Sequence, residues 1–531
     1  MTDAVTWMEK SVSQKVLFGT KMTTIWLLAS HLVGLTRGLL LIRLLSVFEY
    51  GVLAITLITL TIANLMANFR IDRTVTKFVA EGIALNQPYE LKKLFYSSLF
   101  IKFILSAVIW SVILIFSDFI GLYIYKKPSV INPIRLVSLG ILPTALFNSL
   151  LATFHGIQDF KVRTELGILK EIIDLILSVT LVILGYGVMG VVISYIISVS
   201  SIAFIGFTIL SRRMSIIECS AWTSINLEII RKIISFSGWL MLSAALSGIY
   251  DQVNSIVISI VMIEEDIAMF RVALTISGVL GIMSDPIYQA LIPIQSELYA
   301  KNDLEFLKNT YRESFKFVAI IMMPVVAFCI IFASPILLIT AGSPYASLAD
   351  IFRILLIKRV LLGIGIGLTP TLLAINRPDG IAKFQFIGTL TSIIASITLI
   401  PTYGLIGGAI SELISIIALL SAGVYLIFRI SMRRITPPLI SLFKISLNTF
   451  CSFGLMYLVT FLKLGILLTV SISIIVGFFA FLLAEALLKT LDKENIMMLT
   501  TLYKTNSFLR PLMPILKILI YLRNILGNSN S

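Results

Sequence analysis

The stretch FSGWLMLSAALSGIYDQVNSIVISIVMI, from Phe236 to Ile263, decides the fold because it is long and apolar enough to cross a bilayer. It nevertheless carries Asp251 near its centre. Polar residues around that acid recur every three or four positions and so share one face of a helix: Ser243, Ser247, Asn254, Ser255 and Ser259. A charge at bilayer depth costs about 2.5–3.5 kcal/mol on insertion scales unless water or a partner receives it. The stretch therefore predicts a membrane helix whose polar stripe faces protein or water.

Composition extends this interpretation to the whole chain. Of its 531 residues 58% are hydrophobic and 13% are charged, and the mean hydropathy is +1.00. A soluble protein of this length does not need so much apolar surface, so we expect an all-α polytopic membrane protein. The net charge of +14 fits basic cytoplasmic loops better than nucleic-acid binding. The three cysteines form no CxxC pair, which indicates neither a metal site nor a disulfide framework.

Apolar runs of about twenty residues predict about fourteen transmembrane helices. Twelve of them divide into two pseudo-symmetric six-helix lobes, and two more follow at the C-terminus. The predicted boundaries are 1–22 for the N-terminus, 23–216 for the N-lobe, 217–428 for the C-lobe, 429–490 for the last two helices and 491–531 for a tail with an interfacial amphipathic helix.

Loop charges predict the orientation. Lysine and arginine are concentrated in alternate loops, beginning with Arg70, Arg73 and Lys77, whereas one loop of the opposite set is acidic, Glu264 to Asp266. This bias places both termini in the cytoplasm and favours an even number of spans in a multi-pass protein of the cytoplasmic membrane. No cleavage motif follows the first apolar run, so we expect no cleaved signal peptide.

The two halves look faintly repeated. Aligning Gly51 after the first span with Ala268 after the seventh places Arg37 within a turn of Asp251. A six-plus-six repeat is a known transporter architecture with its site near the midplane between the repeats. Arg37 either pairs with a structural acid of the bundle or lines a cavity and contacts an anionic substrate. The same alternatives apply to Asp251.

Further polar residues lie on two other spans. On the eighth span one helical face carries a mixed-charge set: Arg271, Thr275, Gly278, Asp285 and Gln289. On the second span Asn64 and Asn68 share a face with Thr61, although hydrogen bonding between helices explains these residues equally well. We predict a substrate cavity lined by Arg37, Asp251, Asn254, Arg271, Asp285, Gln289, Asn64 and Asn68.

Two other charged groups carry less weight. Lys170, Glu171 and Asp174 begin the fifth span, where a charge cluster is typical of a solvated helix end with a structural role. Arg353, Lys358 and Arg359 enter the tenth span from the outer side, and their roles stay open.

Several catalytic motifs are missing from the sequence. It contains no GxxxxGK[ST] phosphate loop and no HExxH motif, and only His31 and His155 could act as imidazoles. We therefore expect a protein that is not an enzyme, with no bound cofactor or metal.

Short motifs resemble those of polysaccharide flippases of the Wzx type, members of the superfamily that also holds multidrug-and-toxin extruders and the lipid II flippase. The similar residues are Gly34-Leu-Thr-Arg37, Arg43-Leu-Leu, Glu49-Tyr50-Gly51, the segment from Leu150 to Lys161, Asp251 and Ala290-Leu-Ile-Pro293. The resemblance implies two lobes around a central cavity and export of a saccharide linked to a lipid phosphate or diphosphate. In the lipid II branch an acid follows the first arginine, whereas residue 38 here is glycine, which counts against lipid II as the substrate.

The leading hypothesis is a monomeric alternating-access flippase for a lipid-linked oligosaccharide. Arg37 and Arg271 would bind phosphate or sugar acids, and Asp251 and Asp285 would bind hydroxyls or couple transport to a proton or Na⁺ gradient. A cation-coupled drug antiporter of the same superfamily is the nearest alternative, and it favours an acidic cavity. A membrane-embedded saccharide polymerase or transferase would need a large outer loop with acids or histidines. A structural scaffold would have no evident use for a charged stripe.

Overall fold

The computed structural model describes residues 12–68, 71–72, 74–76, 79, 88–214, 227–431, 435–462 and 465–488. It contains seventeen α-helices within that part of the chain. The first nine are α1 Val12–Leu44, α2 Val47–Asn68, α3 Pro88–Phe119, α4 Ile131–Ser138, α5 Ile141–Gly156, α6 Phe160–Leu181, α7 Gly187–Met214, α8 Leu227–Val261 and α9 Glu264–Gly278. The others are α10 Gly281–Ala300, α11 Leu304–Ile331, α12 Ala333–Thr340, α13 Ala349–Ile364, α14 Leu368–Ala374, α15 Pro378–Ile430, α16 Leu439–Thr460 and α17 Ile466–Leu488.

The expected all-helical membrane fold is confirmed, but the predicted number of spans is not. Eight of the described helical segments are long and apolar enough to cross a membrane, or ten if each of two bent helix pairs counts as one span. Two of the eight are 53 residues long and each joins two helices at a kink, α6 to α7 and within α15. The predicted amphipathic tail 491–531 and the lobe boundary at 216 and 217 lie outside the described residues.

The ends of several helices are fixed by local sequence. Ser46 and Glu49 form a reciprocal capping box at the start of α2: the Ser46 amide donates to Glu49 Oε2 over 3.0 Å and the Glu49 amide donates to Ser46 Oγ over 3.2 Å. Asp159 caps α6 and Asp303 caps α11 by accepting a bond from the amide three residues later. These residues determine where the helices begin after each turn of the chain.

Glycines set the two kinks, and the kinks repeat. Gly187 adopts φ 49° and ψ −133°, and Gly404 adopts φ 61° and ψ −139°, a conformation that residues with a side chain rarely adopt. The two glycines are 217 positions apart, and each opens a Tyr-Gly-x-x-Gly motif that begins at Tyr186 or Tyr403. Helices α1 and α8 also end 217 positions apart, as do the starts of α2 and α9. The predicted repeat of two halves is therefore confirmed.

The chain packs as two compact units. The first comprises Met1–Ile282, Thr340–Tyr345 and Pro378–Leu419, and the second comprises Met283–Ile339, Ala346–Arg377 and Leu420–Ser531. The first has an apolar core between α3, α5, α6 and α7, formed by Phe95, Phe147, Leu150, Phe154, Leu166, Val199, Ile202, Ala203 and Leu210. In the second, the hairpin of α16 and α17 packs on α11. Of the eight predicted cavity residues, all except Asp285 and Gln289 lie in the first unit.

Candidate functional site

Arg37 lies in α1 and forms an ion pair with an acid of α6. Its Nη1 atom is 2.7 Å from Asp174 Oδ2, and its Nε donates to Ser178 Oγ over 3.3 Å. The Arg37 side chain is 18% exposed and that of Asp174 is 0% exposed. One of the two alternatives for Arg37, pairing with an acid of the bundle, is therefore what the structure shows. Its contact with a substrate stays a prediction.

Asp174 also receives two other groups. Lys170 Nζ lies 3.6 Å from the same Oδ2 atom, and Ser194 Oγ of α7 donates to Oδ1 over 3.0 Å. Lys170 further pairs with the partly exposed Glu171 over 3.1 Å. We call Arg37, Lys170, Asp174, Ser178 and Ser194 the first polar cluster. It joins α1, α6 and α7 inside the helix bundle.

The predicted solvated helix end at Asp174 is wrong. Sequence analysis began the fifth span near residue 168, whereas α6 begins at Phe160. Asp174 is therefore fourteen residues into the helix, about 21 Å from its start at 1.5 Å per residue. The Asp-Phe pair at 159 and 160 is the sequence signal for the earlier start, because aspartate is a favoured N-cap.

Asn254 lies in α8 at the centre of a second cluster. Its Oδ1 atom accepts hydrogen bonds from Ser396 Oγ over 2.8 Å and from Ser411 Oγ. The Asn254 side chain is 1% exposed and both serines are 0% exposed. Asn254 of α8 thus packs against both arms of α15, the one before and the one after the kink at Gly404. All three side chains are enclosed by neighbouring helices in this structure, and the predicted contact of Asn254 with a substrate stays a prediction. The Ser396 hydroxyl also donates to the Ser392 carbonyl. We call Asn254, Ser392, Ser396 and Ser411 the second polar cluster.

The polar stripe of α8 is divided by the fold. Asp251 is exposed, whereas Ser255 and Ser259 are buried to 1% and 0%. The side chain of Ser243 lies outside the described residues. A single stripe therefore has two environments: Asp251 is exposed, and the serines one and two turns later are buried.

Arg271 of α9 approaches the buried face of α8. Its Nη1 atom donates to Gln252 Oε1 over 3.4 Å and to Ser255 Oγ over 3.5 Å. The buried Glu412 of α15 lies within electrostatic range of the Arg271 guanidinium. Sequence analysis missed Glu412, although an acid inside an apolar span is itself a signal of function.

Tyr50 connects the two arginines. The Tyr50 hydroxyl is hydrogen-bonded to the Thr275 side chain and lies within electrostatic range of both Arg37 and Arg271. One arginine from each half of the chain thus lies near the half-buried phenol of Tyr50. The structure brings together these two predicted site residues, and Tyr50 between them was missed by sequence analysis.

Helices α1 and α9 meet beside this phenol and then leave open space. A methyl group placed on Gly38 would lie 3.9 Å from Thr275 Cγ2. About one turn away on each helix, a methyl group on Gly34 or on Gly278 would meet no heavy atom within 4 Å. Glycine in both helices therefore leaves room for a group larger than a methyl at this seam.

The other predicted residues are less well placed for one common surface. The eighth span is broken at residues 279 and 280 between α9 and α10, so it does not present Arg271, Asp285 and Gln289 on a single straight face. In α10, Gln289 is exposed, and Ser284 Oγ donates to Asp285 Oδ1 over 3.4 Å. Asn64 and Asn68 are half-buried in α2.

Among the residues outside the predicted cavity, Arg353 is now accounted for locally. Its Nη1 atom lies 2.6 Å from Asp350, and its Nε donates to the Ile330 carbonyl over 3.0 Å. These bonds stay within the second unit.

A buried lysine ties two loops of the first unit together. Lys127 Nζ donates to the carbonyls of Ser259 and Met262, both over 2.7 Å, at the end of α8. Ser129 Oγ donates to Glu264 Oε1 over 2.8 Å. Burial lowers the pKa of Lys127, while Glu264 and Asp266 act in the opposite direction. We call the contact of residues 125–129 with residues 259–264 the interloop clasp, in which a cation caps the negative end of the α8 dipole.

The described residues include no group of three or more His, Cys, Asp or Glu side chains that could hold a metal ion. The residues of the two polar clusters offer charge complementarity and hydrogen bonding. Their arginine, lysine and serines are suited to an anionic, hydroxyl-bearing group.

Three of the known proteins to which this chain is similar are a curated relative and two solved structures. A probable low-salt glycan biosynthesis flippase of Haloferax volcanii is 20% identical over 185 residues, which cover 35% of this chain and 39% of the relative's own length. The lipid II flippase MurJ, solved in an inward closed conformation, shares 19% identity and a TM-score of 0.68 over 87% of this chain and 97% of that one. An inward-facing multidrug resistance transporter of the MATE family shares 17% identity and a TM-score of 0.66 over 76% and 95%.

At these identities the solved structures establish a shared fold. A family described as polysaccharide biosynthesis proteins matches residues 40–350. That match includes α2 to α12, and with them Asp174, Asn254 and Arg271. The chain therefore belongs to the family of polysaccharide biosynthesis proteins, and it has the fold of the transporter superfamily that contains MurJ and the MATE proteins.

Proposed function

We propose that this protein is a flippase that carries a lipid-linked saccharide precursor across the cytoplasmic membrane by alternating access. The observation that supports this most directly is the approach of two helices that each carry an arginine: Thr275, four residues after Arg271, lies against Gly38, the residue after Arg37. A phosphate or diphosphate head group cannot cross hydrocarbon unaided, because an ion that leaves water without a partner carries a large desolvation cost. Cations inside the bundle lower that cost for an anion.

The seam between α1 and α9 supports a route for the lipid. Gly34 and Gly278 leave space along the two helices that carry the arginines. A lipid chain would stay in the bilayer while its head group occupies this seam. The exposed Asp251 would then bind sugar hydroxyls, as carboxylate groups do.

A cation-coupled drug antiporter has the same fold but is less well supported. Arg37 and Arg271 repel a cationic drug, and the nearby acids Asp174 and Glu412 are buried with those arginines. A saccharide polymerase or transferase remains a second alternative of another class. We place both termini in the cytoplasm, expect a monomer, and expect a proton or Na⁺ gradient to drive transport.

Transport in vesicles tests the proposal. The protein is reconstituted into phosphatidylcholine vesicles with a fluorescent polyprenyl-diphosphate oligosaccharide, and a membrane-impermeant quencher reports the lipid in the outer leaflet. We expect the quenched fraction to rise from half towards completeness when the protein is present, and to stay at half in protein-free vesicles. We expect the Arg37→Ala, Arg271→Ala double variant to leave quenching at half. Full quenching with that variant would contradict the role of the arginines.

A parallel measurement separates the antiporter alternative. Cells that express the protein are loaded with ethidium, and its efflux is followed with and without a proton or Na⁺ gradient. We expect no efflux above that of cells with an empty vector. Gradient-dependent efflux without flipping would replace our proposal with the drug antiporter.

A further inference from the structure

Two cations of the first polar cluster approach the same carboxylate oxygen. Arg37 Nη1 is 2.7 Å and Lys170 Nζ is 3.6 Å from Asp174 Oδ2. The Arg37 and Lys170 side chains are 18% and 14% exposed, whereas the Asp174 side chain is 0% exposed. A ligand can therefore reach both cations without touching the carboxylate that holds them.

Hydrogen bonds fix this arrangement from three helices. Ser178 accepts a bond from Arg37 Nε over 3.3 Å, and Ser194 donates to Asp174 Oδ1 over 3.0 Å. A guanidinium binds two oxygens of a phosphate in one plane, and an ammonium adds a point charge. The pair of cations thus suits one phosphate group, and neither cation depends on a flexible loop.

We propose that Arg37 and Lys170 together bind one phosphate of the lipid head group, and that Asp174 is a resident counter-ion shared by both cations when the site is empty, with Glu171 as a second acid 3.1 Å from Lys170. The inference rests on the proposed function and adds Lys170 and Asp174 to it. Two bare cations in a low-dielectric bundle are costly, so an empty carrier needs a fixed anion to return through its cycle. Bound phosphate competes with Asp174 for the same cations, and this competition lets the phosphate leave again.

Binding measurements test the inference on the full chain in phosphatidylcholine nanodiscs. The probes are farnesyl diphosphate, sodium pyrophosphate and uncharged farnesol, and thermophoresis gives each dissociation constant. We expect Lys170→Met to weaken farnesyl diphosphate binding about tenfold, the effect of one lost charge-assisted contact. We expect Asp174→Asn to tighten it by about tenfold and to slow flipping in vesicles, since a competing anion is gone.

Two variants on the same helix are matched controls. Lys161→Met and Glu165→Gln each remove one charge from an exposed position of α6. Both are expected to bind farnesyl diphosphate within about twofold of the wild type, because solvent screens exposed charges. A tenfold change in either control would mean that net charge alone sets the affinity, which overturns the two-cation site.

The probes separate the two levels of the proposal. Wild-type protein that binds farnesol as tightly as farnesyl diphosphate contradicts the proposed function itself. A clear preference for the diphosphate that Lys170→Met leaves intact overturns this inference alone. Equal affinity for sodium pyrophosphate would assign the site to a free phosphate and overturn the lipid source.

The counter-ion role has its own decisive outcome. Folded Asp174→Asn protein with weaker binding would show that Asp174 only holds the helices together. If Asp174→Asn is not recovered folded, the double variant Arg37→Gln, Asp174→Asn removes the ion pair as a unit and leaves Lys170 as the remaining cation of the site. We expect the double variant to bind farnesyl diphosphate at least about tenfold more weakly than the wild type. Wild-type affinity there would overturn the proposal.

Discussion

The first and second polar clusters occupy corresponding places in the two halves of the chain, but one is ionic and the other is neutral. Arg37 corresponds to Asn254 and Ser194 to Ser411, each 217 positions apart. Between α6 and the part of α15 before the kink the shift is one residue longer. Ser178 therefore corresponds to Ser396, and Asp174 corresponds to Ser392. In the first half Arg37 donates to Ser178 directly and meets Ser194 through Asp174. In the second half Asn254 accepts bonds from Ser396 and Ser411 directly.

The difference shows what the fold needs and what one half adds. Hydrogen bonds from serines suffice to join three helices, as the second cluster demonstrates. Charges are an addition in the first half, where Lys170 corresponds to Gly388. A methyl group on Gly388 would lie 2.8 Å from Leu419, so the second half has no room for that lysine. The second half places its own charged pair, Arg271 and Glu412, at different positions.

Introducing an arginine into the neutral cluster should have the largest effect. Asn254→Arg puts a cation where no acid lies in the same cluster, and we expect it to lower the free energy of unfolding by at least about 5 kcal/mol. The measurement is SDS-induced unfolding in mixed micelles. Adding Ser392→Asp places a carboxylate at the position that corresponds to Asp174.

That second substitution is the control for equivalence. If the clusters correspond as described, the Asn254→Arg, Ser392→Asp protein should recover more than half of the lost stability. A double variant as unstable as Asn254→Arg alone would mean that the two positions do not face each other as Arg37 and Asp174 do.

Removing the arginine of the ionic cluster should have the next largest effect. Arg37→Ala leaves the fully buried Asp174 without its nearest cation, which we expect to cost about 3–5 kcal/mol. Asn254→Ala in the neutral cluster should cost about 1–3 kcal/mol, because two neutral hydroxyl donors lose one acceptor. The same SDS titration gives both values. Equal losses would show that charge adds nothing to the first cluster's stability.

The class of the protein and one residue of each cluster, Arg37 and Asn254, could be predicted from the sequence. Arg37 and Asn254 stood out because a polar residue in an apolar run is visible in one dimension. Their partners were missed or misplaced: Asp174 was assigned to a solvated end because the start of its helix was set too late, and Ser396 and Ser411 look ordinary in a membrane helix. Whether a serine meets Asn254 depends on the rotation of three helices about their axes, which periodicity within one helix does not determine.

Spacing in the sequence carried more information than residue type. The alignment of Gly51 with Ala268 had the correct shift of 217. At that shift Arg37 corresponds to Asn254, which is within one turn of Asp251. The exposed position of Asp251 required the structure, because adjacent turns of one helix face different surroundings.

The two kink glycines extend the comparison with a smaller effect. Gly187→Ala and Gly404→Ala both force alanine into a conformation with positive φ, at about 1–3 kcal/mol each. A methyl group on Gly187 would also lie 2.6 Å from Glu49 Oε1 and disturb the capping box of α2, whereas on Gly404 it would meet Met262 at 3.6 Å. We therefore expect the first variant to lose more stability in SDS unfolding. The reverse order would show that the contact with Glu49 does not add to the cost of the substitution at Gly187.

The interloop clasp gives the smallest expected effect and tests whether the two clusters respond separately. Lys127→Met removes charge-assisted bonds to two carbonyls at the end of α8, and we expect a loss of about 1–2 kcal/mol. Hydrogen exchange followed by mass spectrometry should show faster exchange at the end of α8, next to the second cluster, and unchanged exchange in α6. The neighbouring Lys126 is exposed, so Lys126→Met is the matched control and should leave both helices unchanged. Faster exchange in α6 as well would mean that the clasp holds the whole first unit together, and the two clusters would then not be independent.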